Sequence, residues 1–212
     1  MPRFAYRRFI LLAVYLTLLI GGSLAGHALL KDASATARPM SGPGVHMMIA
    51  TTTMIYAAAS AIPFIPGAEI GFGLIFMFGG KIAALVYGAM LAALTFSYLA
   101  GRLIPPSICA AAFNFAGLHR ARDLVQKLAT LPPDRKLDFL MERAPTRIVP
   151  FLLRHRYLAL MALINIPGNS LIGGGGGIAF TAGMSGLFTL PRYFTAIAIA
   201  VAPLPVFFML TM

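Results

Sequence analysis

The chain has 212 residues, 59% of them hydrophobic and only 11% charged, whereas a soluble domain is about half apolar and a quarter charged. The excess is gathered in long apolar runs, which excludes an ordinary soluble globular protein and predicts one integral membrane domain over residues 1–212. The net charge of +11 does not indicate nucleic acid: three arginines lie in residues 1–8 and ten Lys/Arg in residues 102–156, both flanking apolar runs as cytoplasmic ends do, without zinc-finger or RNA-binding spacing.

Residues 9–30 read as an N-terminal transmembrane helix that starts in the cytoplasm. A signal peptide has the same basic start and apolar core, with "SLA" and "GHA" as candidate cleavage sites, but the length of the run favours an uncleaved anchor. Gly22 and Gly26 have the spacing that lets two helices approach closely. Residues 31–44 ("KDASATARPMSGPG") form a polar outside loop. An apolar helix then runs over 45–62 and is broken by "PFIPG" at Pro63 and Pro66, because proline lacks the backbone donor a helix needs. Residues 70–80 resume the apolar pattern but are too short to span, and 81–101 make a full-length helix ending at Arg102.

Residues 102–156 hold ten basic and four acidic residues. "HRARDLVQKLATL" and "DRKLDFLMERA", parted by Pro132 and Pro133, place apolar residues at helical spacing. They predict two amphipathic helices on the cytoplasmic surface, a solvated linker being the plainer alternative. Residues 157–166 form a short apolar helix that stops at Pro167. The stretch 171–190 follows with five consecutive glycines, Gly173 to Gly177, inside it. Residues 192–212 close the chain as a spanning helix kinked at Pro203 and Pro205.

The chain repeats itself. "FIPGAEIGFG" (64–73) and "NIPGNSLIGG" (165–174) both place I-P-G after a short apolar helix, then a polar pair, then glycines. Paired broken segments in the two halves of a transporter mark a binding site near the bilayer midplane. Following the chain from side to side, the first broken segment enters and leaves from outside, the second from the cytoplasm. Lys81 then falls on the outer edge, against the charge bias. The expected fold is therefore an all-α polytopic membrane protein: an inverted repeat of re-entrant helical hairpin plus transmembrane helix (45–101 and 157–212), an added N-terminal helix, and the basic region 102–156 between the repeats. Backbone exposed by re-entrant breaks must be covered by protein or water. The glycines allow tight reversal and close packing, and they also leave backbone N–H groups open to a ligand.

These segments resemble the DedA family, whose shared core is the VTT domain, from about residue 45 to the C-terminus. The resemblance rests on Pro63, Pro66, Gly67 and Glu69, on "YLAGR" from Tyr98 to Arg102, and on Ile166-Pro167-Gly168. The chain departs from the family pattern where Ala68 separates Gly67 from Glu69, where Leu94 and Thr95 occupy the place of a second acid, and where Ile164 and Ser170 occupy those of two arginines. The resemblance implies movement of lipids across a bilayer, such as polyprenyl phosphates or phospholipids, dependence on the proton-motive force, and residence in a bacterial inner membrane.

Glu69 is the only acid within the apolar segments. A charge at depth costs about 2.5 kcal/mol or more, and in a buried site such an acid is a candidate proton carrier. Capping of the helix that follows is the structural alternative. Asn165, Asn169 and Ser170 are the matching polar set, able either to bind a phosphate together with the glycine amides or to satisfy the turn. Arg156, with Arg154 and His155, and Arg102 are candidates for attracting headgroups or for setting topology. Pro63, Pro66, Gly67, Pro167 and Gly168 are the structural hairpin breaks. The expected function is translocation of an amphipathic anion, a lipid phosphate, with the bilayer and protons as partners and self-association left open. A small-solute or drug exporter and a non-transporting assembly factor are the alternatives. No enzyme, cofactor or metal site is expected: Cys109 is the only cysteine, His27, His46 and His119 are far apart in sequence, and no nucleophile–base or nucleotide-loop motif is present.

Overall fold

The computed structural model describes residues 43–115, 117, 119–142 and 148–211, with residues 13, 16, 17, 20, 21 and 24 from the N-terminal stretch. Those six are helical. The remainder of the expected helix 9–30, including Gly22 and Gly26, and the loop up to residue 42 lie outside the described residues.

The described residues form an all-α protein with no strand. The helices are α1 (Pro43–Ala61), α2 (Gly67–Phe78), α3 (Ala83–Leu103), α4 (Pro106–Phe115), α5 (His119–Thr130), α6 (Pro133–Glu142), α7 (Ile148–Arg154), α8 (Arg156–Asn165), α9 (Gly174–Ser185), α10 (Leu190–Val201) and α11 (Pro203–Thr211). Single 3-10 turns, Gly80–Ile82 and Asn169–Ile172, precede α3 and α9.

Helix α3 is the axis of the molecule, with α1, α2, α9, α10 and α11 packed around it. Its buried stripe runs from Ala83, Val86 and Met90 to Leu94, Tyr98 and Gly101, the recurrence expected of one helix face turned into a core. The tightest crossing is with α9. A β-carbon on Gly101 would be driven into the carbonyl of Phe180, and one on Gly183 into that of Tyr98. The absent side chains let the two backbones touch, as small residues do between membrane helices. Tyr98 and Tyr193 stack at 4.0 Å and lock α10 against the same face. Tyr193 donates to the Leu94 carbonyl, so its buried hydroxyl is satisfied.

The outward faces are apolar as well. Met54, Phe76, Phe96, Leu103 and Leu210 are each at least two-thirds exposed, an extent of bare apolar surface that water-soluble monomers avoid. Among the described residues one helix, Gly80–Leu103 at 24 residues, is long and apolar enough to cross a membrane. A second candidate exists if Leu190–Val201 and Pro203–Thr211 are counted together, and they meet at a bend of 44°. The kink read at Pro203 and Pro205 is therefore a sharp break.

Two expectations need correction and a third is extended. Helix α2 starts at Gly67, not at residue 70, because Pro66 at its N-cap supplies the break and the chain turns helical at once. The two helices expected in the basic region are present as α5 and α6, and the described residues add two more. The apolar "PSICAAAFNF" of α4 is seated on α5, with Arg122 Nη1 donating to Asn114 Oδ1 at 3.1 Å, and Ile148–Arg154 forms α7. The glycine run opens α9 and does not sit in the middle of a helix. Gly173 (φ 120°) at the N-cap and Gly174 (φ 67°) at the first helical position take backbone conformations that a side chain opposes, and Gly174 to Gly177 form the first turn of α9.

Candidate functional site

Both I-P-G stretches interrupt a helix, and the interruptions are fastened together. Phe64 has φ 70°, a conformation that costs a non-glycine residue about 1–3 kcal/mol unless its surroundings hold it. Its N–H donates to the Gly173 carbonyl at 2.6 Å, joining one break to the other. The glycines complete this join. A β-carbon on Gly174 would lie 2.8 Å from the Ile65 carbonyl oxygen, and one on Gly176 would lie 2.7 and 2.8 Å from those of Ser60 and Ala61. Ser97 Oγ donates to the Gly176 carbonyl at 2.7 Å, tying α3 to the same point. The five glycines thus serve the contact between the breaks, and none of them lines the adjoining cavity.

That cavity has a volume of about 580 Å³, within the range of small-molecule sites. Three chain breaks border it: the start of α2 at Ala68 and Glu69, the end of α8 at Asn165, Ile166 and Pro167, and the α10–α11 bend at Val201 and Pro203. Tyr56 from α1 and Tyr87 and Met90 from α3 close its inner wall.

Glu69 occupies the first turn of α2, where the helix dipole favours an anion. It makes no hydrogen bond capping the helix start. The buried stripe of α2 is Gly67, Ile70, Gly71, Leu74 and Ile75, so Glu69 falls on the other side, with Phe72 and Phe76. It is exposed there. Among the described residues no basic side chain comes within ion-pair distance of it.

The two asparagines are committed to the backbone. Asn165 Nδ2 donates to Met161 O at 2.9 Å and to Ala200 O at 3.0 Å, using both amide hydrogens. The residue that would donate to Ala200 O in a continuous helix is Leu204, beyond the break, so the amide replaces a lost partner. Asn169 is buried, and its Nδ2 donates to Ile164 O at 2.6 Å, capping a carbonyl at the end of α8. Tyr56 directs its hydroxyl hydrogen to Met90 Sδ at 3.3 Å, and Tyr87 directs its own to Ala198 O at 3.0 Å. The polar atoms left over are mostly acceptors. A donor-rich anion site, expected from the asparagines and glycine amides, is not what this geometry forms.

The other expected residues are elsewhere. Ser170 is half-buried in the turn before α9, outside the cavity lining. Arg102 is exposed at the end of α3 and donates to Tyr98 Oη at 3.1 Å; that hydroxyl donates to Phe188 O at 2.7 Å. Arg156 lies over the Tyr157 ring at 5.1 Å, and Tyr157 packs edge-on against Phe188. Both arginines therefore gather around the α9–α10 loop, where Lys136 Nζ also comes close to Gly186. The expected site splits in two: Glu69, Asn165 and Asn169 border the cavity with Pro167, while Arg102 and Arg156 flank a loop.

Tyr56, Tyr87, Ala200 and Val201 belong to the cavity and were not singled out from the sequence. The prolines at 203 and 205 were a usable signal, being a third helix break that resembles neither I-P-G stretch. Among the described residues no three His, Cys, Asp or Glu side chains stand close enough to share a metal ion. No protein-family model, no curated protein and no solved structure matches this chain.

Proposed function

We propose that this chain is a membrane transporter that moves an amphipathic solute through the cavity where its helix breaks meet. In this reading the two I-P-G segments enter the bilayer from opposite faces as an inverted repeat, and their contact forms the midplane of the path. The observation that carries it is the convergence of three breaks and one unpaired acid on a single cavity. Broken helices at membrane depth are tolerated where they line such a space, and an acid there is rarely idle. The apolar outer faces and the likeness of the I-P-G stretches to the DedA family support the same reading.

A lipid phosphate remains a second reading, favoured by Arg102 and Arg156 at the α9–α10 loop. There each basic side chain near an anionic surface contributes about 1 kcal/mol. On this reading the headgroup is gathered at the loop and the acyl body lies along the apolar faces.

The test combines access and flux. In a Cys109→Ala background, Ala68→Cys and Ile166→Cys are expected to react with a membrane-impermeant thiol reagent in proteoliposomes, one from each side. The same vesicles, loaded with labelled polyprenyl phosphate, phospholipid or lipophilic cation, are expected to move one of them. Two unreactive cysteines together with no flux would remove the transport reading.

A further inference from the structure

Resting on the transport reading, we propose that the cavity bordered by Glu69 binds a lipophilic monocation, an ammonium or phosphonium centre on an apolar body, and not a phosphate.

Charge is the first argument. Among the described residues lining the cavity there is one carboxylate and no Lys, Arg or His. Four helix ends also meet there. The N-termini of α2 and α11 and the C-termini of α8 and α10 each carry about half a charge, two of each sign, so they offset one another. The carboxylate remains as the uncompensated charge.

Hydrogen-bond polarity is the second. Both Asn165 amide hydrogens, one from Asn169 and both tyrosine hydroxyl hydrogens already point at protein acceptors. The amide and hydroxyl oxygens keep their lone pairs. Pro205 adds to this, because it lacks the N–H that would bond the carbonyl one turn earlier, at Val201 in the cavity lining. A phosphate would find one amide hydrogen and the first-turn N–H groups of α2 and α11, with the Glu69 carboxylate among them to repel it. A cation needs acceptors and finds them on several sides.

The walls select the kind of cation. A bare metal ion needs about six oxygens around it, and this lining is mainly aliphatic and aromatic. Tyr56, Phe72 and Phe207 supply ring surface suited to a diffuse positive charge. The volume of about 580 Å³ accommodates an organic body rather than a hydrated ion.

The experiment uses a pair of probes alike in size and opposite in charge, tetraphenylphosphonium and tetraphenylborate. Radiolabelled forms are bound to the full-length protein in zwitterionic phosphatidylcholine nanodiscs, with empty discs subtracted. Tetraphenylphosphonium is expected to bind in preference to tetraphenylborate. Glu69→Gln should weaken it by about tenfold, and Glu69→Asp, which keeps the charge, should restore most of the binding. Thermal unfolding of each variant establishes that it is folded. Equal or better binding of tetraphenylborate, or unchanged cation binding by folded Glu69→Gln, overturns the proposal. Cation binding in discs without flux in liposomes upholds the site and sinks the transport reading. Lipid-phosphate flux without cation binding does the reverse.

Discussion

The two I-P-G breaks share a motif and differ in what their polar residues do. At the first, the chain leaves α1 at Ala61 and is helical again at Gly67. Its one polar side chain, Glu69, makes no helix cap and faces the cavity. At the second, the chain leaves α8 at Asn165 and regains α-helix only at Gly174, and its amides are turned onto carbonyls orphaned at two breaks, Ile164 at its own and Ala200 at the α10–α11 bend. The second break therefore spends its side-chain donors on backbone carbonyls of its own turn and of the neighbouring bend. One break is thereby left with a spare charge, and the other becomes the scaffold that holds the cavity open. Repetition in sequence has not produced two equivalent half-sites.

Substitutions can break this contrast. Glu69→Gln should abolish solute movement in proteoliposomes while shifting unfolding by no more than about 0.5 kcal/mol, as expected of an exposed residue that caps nothing. Full transport by that variant would show that the first break carries no functional charge. Gly174→Ala should act on stability instead, by about 3 kcal/mol, since it combines a disfavoured φ with overlap on the Ile65 carbonyl. Thermal unfolding in detergent measures it. The matched change in the first break, Gly67→Ala, meets the Ser60 hydroxyl, which can turn, and Ser60 Cβ at 3.0 Å, which must shift slightly, and should cost about 1–2 kcal/mol.

Asn169→Leu sharpens the contrast from the other side. It strands the Ile164 carbonyl, a loss of about 2 kcal/mol, and should lower the unfolding temperature more than it lowers solute affinity. A variant of unchanged stability with lost binding would return Asn169 to the ligand. Ser170→Ala, outside the cavity, should fall within about 0.5 kcal/mol of the parent and leave flux unchanged.

Much of the architecture was legible because its causes are local. Pro63, Pro66 and Pro167 break helices wherever they stand, since the missing N–H belongs to the residue itself. Apolar runs, the pairing of the two I-P-G stretches and the isolation of Glu69 among hydrophobic residues can likewise be read letter by letter. The glycine run was legible as a special feature but not as a helix start, because its role depends on carbonyls from residues 60–65 that approach only in the folded chain.

The sequence by itself determined an all-helical apolar chain, where its helices fail, and which residues could carry charge or hydrogen bonds. Only the tertiary structure decided which of those groups remain free. Asn165 reads as a ligand candidate until Ala200, 35 residues away, claims its amide. Arg102 and Arg156, 54 positions apart, read as separate headgroup or topology charges until packing gathers both at the α9–α10 loop. A side chain's chemistry is fixed by its own atoms, whereas the partner that consumes it is brought by the fold, and in a medium without water an orphaned carbonyl claims the nearest donor.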